Sequence, residues 1–245
     1  MDNPHSNAVL NGRVVLVTGG AKRIGRGIAI RLANAGARLA IHYGRSEEEA
    51  RRTADECGGA ALFQANLESV DDIKRLFVAV GDHFGRLDGL VNNAARFTRI
   101  DPLEVTERDW DFIHSVNLKA TFFCCQQGAL LMKRTGGGRI VNISSLGGIR
   151  PWSHHTHYCA SKAGVIMMTR ALAKALAPDI TVNSVAPGVI PFGEHDDRIE
   201  RLIAATPAGR AGTADDIADA VLFFLSASTF VTGQILAVDG GLSQR

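Results

Sequence analysis

Short runs of β-branched and other apolar residues punctuate the chain, and longer stretches with apolar positions three or four apart separate them. The runs 13–17 (RVVLV), 38–43 (RLAIHY), 60–65 (AALFQA), 88–91 (DGLV), 138–143 (GRIVNI), 180–185 (ITVNSV) and 234–238 (QILAV) predict strands. The stretches at about 24–35, 46–57, 69–84, 106–134, 155–177 and 213–227 predict helices. Alternation of the two implies right-handed crossovers and a parallel sheet covered on both faces. The expectation is an α/β chain, doubly wound, with one seven-stranded parallel sheet and helices on both faces.

Nothing divides this pattern. No linker rich in Pro, Gly and Ser interrupts it and no repeat of fixed period is apparent, so residues 1–245 read as one domain. The polar opening MDNPHSNAVLNG lacks the basic and apolar regions of a signal peptide, and 1–11 reads as a flexible lead-in. The stretch 189–212 departs from the alternation. Pro191, Gly193, Pro207, Gly209 and Gly212 surround the charged patch EHDDRIER, which suggests a lid holding a short helix.

Charge then narrows the function classes. The 27 basic and 25 acidic residues leave a net charge of +2, which argues against a nucleic-acid-binding or membrane-surface protein. No apolar run approaches the ~20 residues of a membrane span. Of the four cysteines, Cys124 and Cys125 are adjacent in an apolar helical stretch, and no pair has metal-ligand spacing. Free thiols in a reducing cytoplasm are expected, and with them a cytoplasmic protein.

The first strand runs into TGGAKRIG (18–25), and a helical pattern follows. Strand, glycine-rich turn and helix bind a dinucleotide pyrophosphate in a Rossmann fold. Gly19 and Gly25 bracket the turn, where glycine permits close approach of backbone to phosphate, and the helix then points its N–H groups at the anion. Arg23 stands where a close variant carries glycine. At the end of the second strand Tyr43, Gly44, Arg45 and Ser46 offer no acid before Glu47. A carboxylate there would hold the ribose hydroxyls of NAD; arginine and a hydroxyl suit a 2′-phosphate. Lys22, Arg23 and Arg45 form a candidate cationic pocket, which favours NADP(H). Ser46 with the following EEE also reads as a helix capping box, and it could serve both purposes.

Tyr158 and Lys162, in YCASKAG, are four residues apart in a helical pattern and share one face. A nearby ammonium favours tyrosinate and would lower the phenol toward neutrality, poising the pair for general acid–base work. Ser145 follows the strand GRIVNI, where its hydroxyl could stabilise charge on a substrate oxygen. His155, three residues before Tyr158, could face the same cleft. The run HHTH (154–157) has no carboxylate or cysteine at the right spacing, and no metal site is expected.

Together TGGAKRIG, NNAA (92–95), Asn117 in SVNLKATF, Ser145, YCASK, VNSVAPG (182–188) and FVTGQILAVDGG (230–241) resemble the short-chain dehydrogenase/reductase family over residues 12–243. The resemblance implies that Tyr158 is the proton donor, that Lys162 binds the nicotinamide ribose and tunes Tyr158, and that Ser145 orients a carbonyl. It implies that Asn117 holds a water in a proton relay, and that Asn92 fixes the strand backing the cofactor. It places Ile24, Leu67, Asn93, Ala94, Pro187 and Gly188 on the cofactor. Several positions depart from the family pattern. Ala95 replaces a glycine. Asn66 replaces the aspartate at the adenine, where its amide oxygen could still serve. Phe192 replaces a threonine that holds the carboxamide, leaving that task to the Val189 backbone. The family also implies a homotetramer or homodimer, with 106–134, 155–177 and the C-terminal strand as pairing surfaces.

KRIG, HYGRS and EHDD resemble the pteridine reductase and dihydromonapterin reductase branch. There the residue matching Arg23 reaches cofactor and pterin, and the one matching Phe97 stacks on the pterin ring; ordinary loop packing explains Phe97 equally well. Ser145 stands where that branch carries aspartate, and a hydroxyl suits C=O rather than C=N. The leading expectation is therefore NADPH-dependent reduction of a ketone or 3-oxoacyl substrate, with Phe97, Ser145, His155 and Phe192 facing it. Pterin reduction is the alternative. A non-catalytic NADP-binding protein is a third reading, opposed by the joint presence of Asn117, Ser145, Tyr158 and Lys162.

Overall fold

The computed structural model describes residues 8–193 and 196–244. Seven strands form one parallel sheet in the order β3-β2-β1-β4-β5-β6-β7. They are β1 (Val14–Thr18), β2 (Arg38–Tyr43), β3 (Ala61–Gln64), β4 (Gly89–Asn92), β5 (Gly138–Ile143), β6 (Ile180–Pro187) and β7 (Ile235–Val238). The helices are α1 (Arg23–Asn34), α2 (Glu47–Glu56), α3 (Val70–Phe84), α4 (Glu107–His114), α5 (Thr121–Lys133), α6 (Thr156–Leu176), α7 (Asp197–Ala205) and α8 (Ala214–Ser226).

The strand period of two sorts β1 between two cores. Val15 and Val17 join Ile28, Leu32, Val221 and Phe224, from α1 and α8. Val14 and Leu16 face the other way, onto Ile73, Phe77, Cys124 and Met132 from α3 and α5. Both faces of β1 are therefore dry, which is why its sequence is apolar without alternation.

Two expectations change. The helix predicted over 106–134 carries a π-helical turn, Ser115–Ala120, between α4 and α5. Such turns alter which side chains face inward and recur at functional sites; this one contains Asn117. The lead-in predicted over 1–11 is anchored at one described position: Leu10 is fully buried and its N–H donates to the Ala35 carbonyl at 2.9 Å, while Val9 and Asn11 are exposed. The apolar Leu10 has a place in the α1 core that the polar composition around it obscured. In 189–212 the short helix is α7, capped by Asp196, which accepts from the Ile199 N–H at 3.0 Å. Glu194 and His195, the first half of EHDD, lie outside the described residues.

Candidate active site

The strand order reverses between β1 and β4, and the carboxyl ends there open a crevice. TGGAKRIG fills its floor. Gly19 has φ +60°, and a Cβ on Gly25 would lie 2.1 Å from the Gly19 carbonyl oxygen, so only glycine closes this turn. Arg23 has φ +55°, alone among the described non-glycine residues in the left-handed region. The glycine of close variants has a plain physical reason, and the arginine keeps that backbone at a cost of about 1 kcal/mol. Its guanidinium lies 6.0 Å from the Phe192 ring.

The start of α1 tests the loop against a phosphate. Its N-cap, Lys22, makes no side-chain cap hydrogen bond, and its first turn contains no acid. The first N–H groups therefore lack a side-chain partner. Exposed Lys22 and Arg23 add positive charge at the positive end of the helix dipole, an unfavourable arrangement until an anion arrives. The N-termini of α2, α3, α4, α7 and α8 instead carry acids. The loop fits a dinucleotide pyrophosphate.

Two residues hold the loop in shape. Asn93 donates from Nδ2 to the carbonyls of Thr18 and Gly19, both at 3.0 Å. Thr18 Oγ1 accepts the N–H groups of Asn93 and Ala94, at 3.0 and 3.1 Å. On the other side the Gly19 N–H donates to His42 Nδ1 at 3.1 Å, which places the ring proton on Nε2, facing the Ala65 carbonyl at 3.1 Å. Burial lowers the His42 pKa to about 4, so the ring stays neutral and Nδ1 keeps its lone pair. Sequence reading gave His42 no role; its only signal was a histidine at the inward end of an apolar strand.

Other predicted cofactor residues divide into packed and exposed groups. Tyr43 packs on Ala21 and Ala50, and Leu67 is buried in the core. Arg45 is exposed. Ser46 forms no side-chain cap, contrary to the predicted capping box; true boxes start α4 at Thr106 and α8 at Thr213. Asn66 Oδ1 accepts the Glu68 N–H at 3.1 Å, so its amide oxygen already has a local partner. Ala95 lines the crevice, as do Ile24, Pro187, Gly188 and Val189. A Cβ on Gly188 would sit 2.6 Å from Asp239 Cα.

β5 delivers Ser145, and the first turn of α6 delivers Tyr158. Ser145 Oγ accepts the Gly147 N–H at 3.0 Å, and its hydroxyl lies close enough to Tyr158 to favour the phenolate. Lys162, one turn on, donates from Nζ to the Ile143 carbonyl at 2.8 Å and lies 5.9 Å from the Tyr158 ring centroid. The expected fall of the Tyr158 pKa toward neutrality is not what the site produces. Burial pushes the phenol up to about 12, only partly offset by the Ser145 hydrogen bond, and burial lowers Lys162 to about 8. Desolvation outweighs attraction because the ammonium is directed at a backbone carbonyl and makes no direct contact with the phenol oxygen.

Asn117 is fully buried. Its Oδ1 accepts the Arg96 N–H at 2.7 Å; its Nδ2 donates to the Arg96 carbonyl at 2.9 Å and to Ser161 Oγ at 3.2 Å. Ser161 donates in turn to the Tyr158 carbonyl at 2.7 Å. The π turn thus clamps the loop after β4 to the helix of Tyr158. Asn92 ties β4 to β5 through Asn142 Oδ1 at 2.9 Å.

Above these groups a cleft of about 550 Å³ is lined by Phe97, Ser145, His155, Tyr158 and Lys162, among others; Phe192 is not on its wall. Two of the three HHTH histidines have ring hydrogen bonds: His155 Nδ1 donates to the Thr98 carbonyl at 2.8 Å and His157 Nε2 meets Thr98 Oγ1 at 2.7 Å. Among the described residues, no group of His, Cys, Asp and Glu is arranged to hold a metal. The four cysteines are free thiols, and burial raises the pKa of Cys124 and Cys125 strongly.

A phosphate loop at the switch point, with Ser, Tyr and Lys on one side of the cleft beyond it, defines a dinucleotide-dependent oxidoreductase. A family model described as enoyl-(acyl carrier protein) reductase matches residues 19–243. A 3-oxoacyl-(acyl-carrier-protein) reductase of Staphylococcus aureus is 38% identical over 238 residues, covering 93% of this chain and 96% of that protein. Among solved structures, a protein assigned as a short-chain alcohol dehydrogenase from Sinorhizobium meliloti has a TM-score of 0.90 at 34% identity, covering 95% of this chain and 97% of the other. A variant of actinorhodin polyketide ketoreductase solved with NADPH has a TM-score of 0.88 at 34% identity, covering 96% and 98%. The chain belongs to the short-chain dehydrogenase/reductase family.

Proposed function

We propose that this protein reduces a ketone with NADPH, with Tyr158 as the proton donor. The observation that carries the reading is the convergence of Ser145, Tyr158 and Lys162 on the wall of one cleft. NADPH, when bound, supplies a hydride to the carbonyl carbon. Gly19, Gly25 and the N-terminus of α1 hold its pyrophosphate, with Lys22, Arg23, Arg45 and Ser46 around the 2′-phosphate. Ile24, Asn93, Ala94, Ala95, Pro187, Gly188 and Val189 line its path, with Tyr43, Asn66 and Leu67 at the adenosine end.

Ser145 Oγ accepts the Gly147 N–H, which fixes its place on the cleft wall, and its proton, directed toward Tyr158 in the free protein, turns to a substrate oxygen when one enters. That bond polarises the carbonyl and stabilises the charge that develops on it. Tyr158, kept protonated by burial, transfers its proton to the same oxygen. The Lys162 ammonium, 5.9 Å from the ring centroid and held on the Ile143 carbonyl, favours the phenolate through space only. Asn117 is a positioning residue, since its amide is engaged by Arg96 and Ser161.

Two of the relatives are named a 3-oxoacyl-(acyl-carrier-protein) reductase and a polyketide ketoreductase, and a hydroxyl at Ser145 suits C=O; both support a ketone over a pterin C=N bond. The test is NADPH and NADH consumption with a 3-oxoacyl thioester, a cyclic ketone, an enoyl thioester and dihydrobiopterin. The ketones with NADPH are expected to lead; faster turnover of the enoyl thioester or the pterin would overturn the assignment.

No helix of the described chain is long and apolar enough to cross a membrane. We read the exposed apolar side chains Phe122 and Leu130 on α5 and Met167 on α6 as a homo-oligomer surface, which sedimentation would test.

A further inference from the structure

The cleft wall beyond Ser145 and Tyr158 is unusually aromatic. The Trp152 ring lies 6.1 Å from the Tyr158 ring and nearly parallel to it, at 8°. Phe97 stands perpendicular to both, at 4.8 Å from Tyr158 and 6.4 Å from Trp152. One face of Phe97 stacks on His155 at 4.6 Å and 18°, yet the side chain remains 54% exposed. The exposed part of the side chain offers a flat ring an offset-stacked or edge-to-face contact. The three ring contacts leave more than half of the Phe97 side chain open to the cleft.

The charge around the same cleft is one-sided. Arg99 and Arg198 line it, and no carboxylate among the described lining residues balances them. Neither arginine forms a salt bridge with a described carboxylate. Arg198 also has a built support. His155 Nδ1 donates to the Thr98 carbonyl, which leaves Nε2 as an acceptor, and Arg198 Nη1 approaches it at 3.4 Å. His155 is 3% exposed, so α7 is tied to the aromatic wall through a buried ring. A guanidinium placed in advance binds an anion with less loss of side-chain freedom.

We propose, resting on the ketone-reductase reading above, that the cleft takes a planar conjugated ketone bearing an anionic group remote from the carbonyl, the ring against Phe97 and Trp152 and the anion on Arg198 with Arg99. The carbonyl is then directed to Ser145 and Tyr158 by recognition at both ends. The anion is a carboxylate on the ring system itself or a phosphate on a tail attached to it, and the two are separable by experiment.

The experiment compares 1-tetralone-6-carboxylate, its methyl ester, a pantetheine 4′-phosphate ester of the same acid, and acetoacetyl-CoA, in the full chain with NADPH. In the unmodified protein the carboxylate is expected to show a KM at least ten-fold below that of the methyl ester. In Arg198→Ala that ratio falls toward one. A matching effect confined to the phosphopantetheine ester assigns the anion to a tail phosphate. Phe97→Leu raises KM for every tetralone relative to acetoacetyl-CoA. Equal KM values for carboxylate, methyl ester and phosphopantetheine ester before mutation, or an Arg198→Ala effect on acetoacetyl-CoA alone, overturn the proposal while leaving ketone reduction intact. Binding is read separately from quenching of Trp152 fluorescence in a Trp110→Phe background, since the chain has two tryptophans. Tight carboxylate binding that Arg198→Ala abolishes, with no ketone turned over, would support the anion site and sink the reductase reading.

Discussion

Arg23→Gly separates shape from charge in the phosphate loop. At φ +55° the arginine holds a conformation that costs a non-glycine residue about 1 kcal/mol. Glycine removes that cost but adds unfolded-state freedom worth roughly 0.4–1 kcal/mol. Loss of the contact with Phe192, at 6.0 Å and on the surface, subtracts about 0.5–1 kcal/mol more. The cofactor-free protein should therefore change in stability by less than about 1 kcal/mol, a Tm shift within roughly 4 °C at this size. The effect on NADPH should be much larger. A charge-assisted phosphate contact is worth about 1.5–3 kcal/mol, so Kd should rise at least ~10-fold, and by less for NADH, which lacks the 2′-phosphate. Thermal melting of the free protein and fluorescence titration of both cofactors measure the two quantities. A large fall in Tm with equal weakening of both cofactors would show that Arg23 sets the loop's shape. Unchanged cofactor binding with lost substrate binding would move Arg23 to the substrate site and restore the pterin reading.

Three further outcomes follow from the same geometry. His42 is neutral when buried and has a folded pKa of about 4 against an unfolded 6.5, so the unfolded chain binds more protons between those values; its contribution is complete above pH 6.5 and is lost as pH falls toward 4, with an upper bound of roughly 3 kcal/mol. His42→Leu should cost about 1–3 kcal/mol at pH 7 by stranding the Gly19 N–H, and urea unfolding should show the gap to the parent narrowing toward pH 4; parallel pH curves would contradict this. Gly25→Ala, whose Cβ would meet the Gly19 carbonyl at 2.1 Å, should abolish NADPH binding in a titration, whereas Gly20→Ala, with 3.1 Å to Ile41 Cγ2, should weaken it far less. Lys162 has the opposite significance to a paired lysine: its folded pKa of about 8 lies below the unfolded 10.5, so stability should rise as pH climbs through that window, and Lys162→Met should flatten the rise in chemical unfolding.

The strand pattern carried the sheet because parallel strands buried on both faces are apolar throughout, as in β1. Glycine spacing carried the first turn for an equally direct reason, a carbonyl 2.1 Å from an added Cβ. Residues whose role depends on distant chain segments were harder to read. His42 acts through Gly19 and Ala65, each 23 positions away, and nothing local marks that. The π turn at Asn117 lies in a stretch that reads as continuous helix, with no Pro or Gly between 106 and 127 to mark where the hydrogen-bond pattern changes. The direction of the Tyr158 pKa is not legible in the sequence for a related reason: i,i+4 spacing places Lys162 on the right face but says nothing of Ile143, whose carbonyl takes the ammonium.

The central claim is that Tyr158 delivers the proton in NADPH-dependent ketone reduction. Steady-state NADPH consumption with the best ketone substrate, in the parent and in Tyr158→Phe, tests it most directly when cofactor binding is titrated in the same preparations. The expected result is a loss of kcat of at least ~100-fold, the usual scale of general acid catalysis, with the Kd for NADPH changed by less than about three-fold. A Tyr158→Phe protein that turns over ketone at the parent rate would contradict the account.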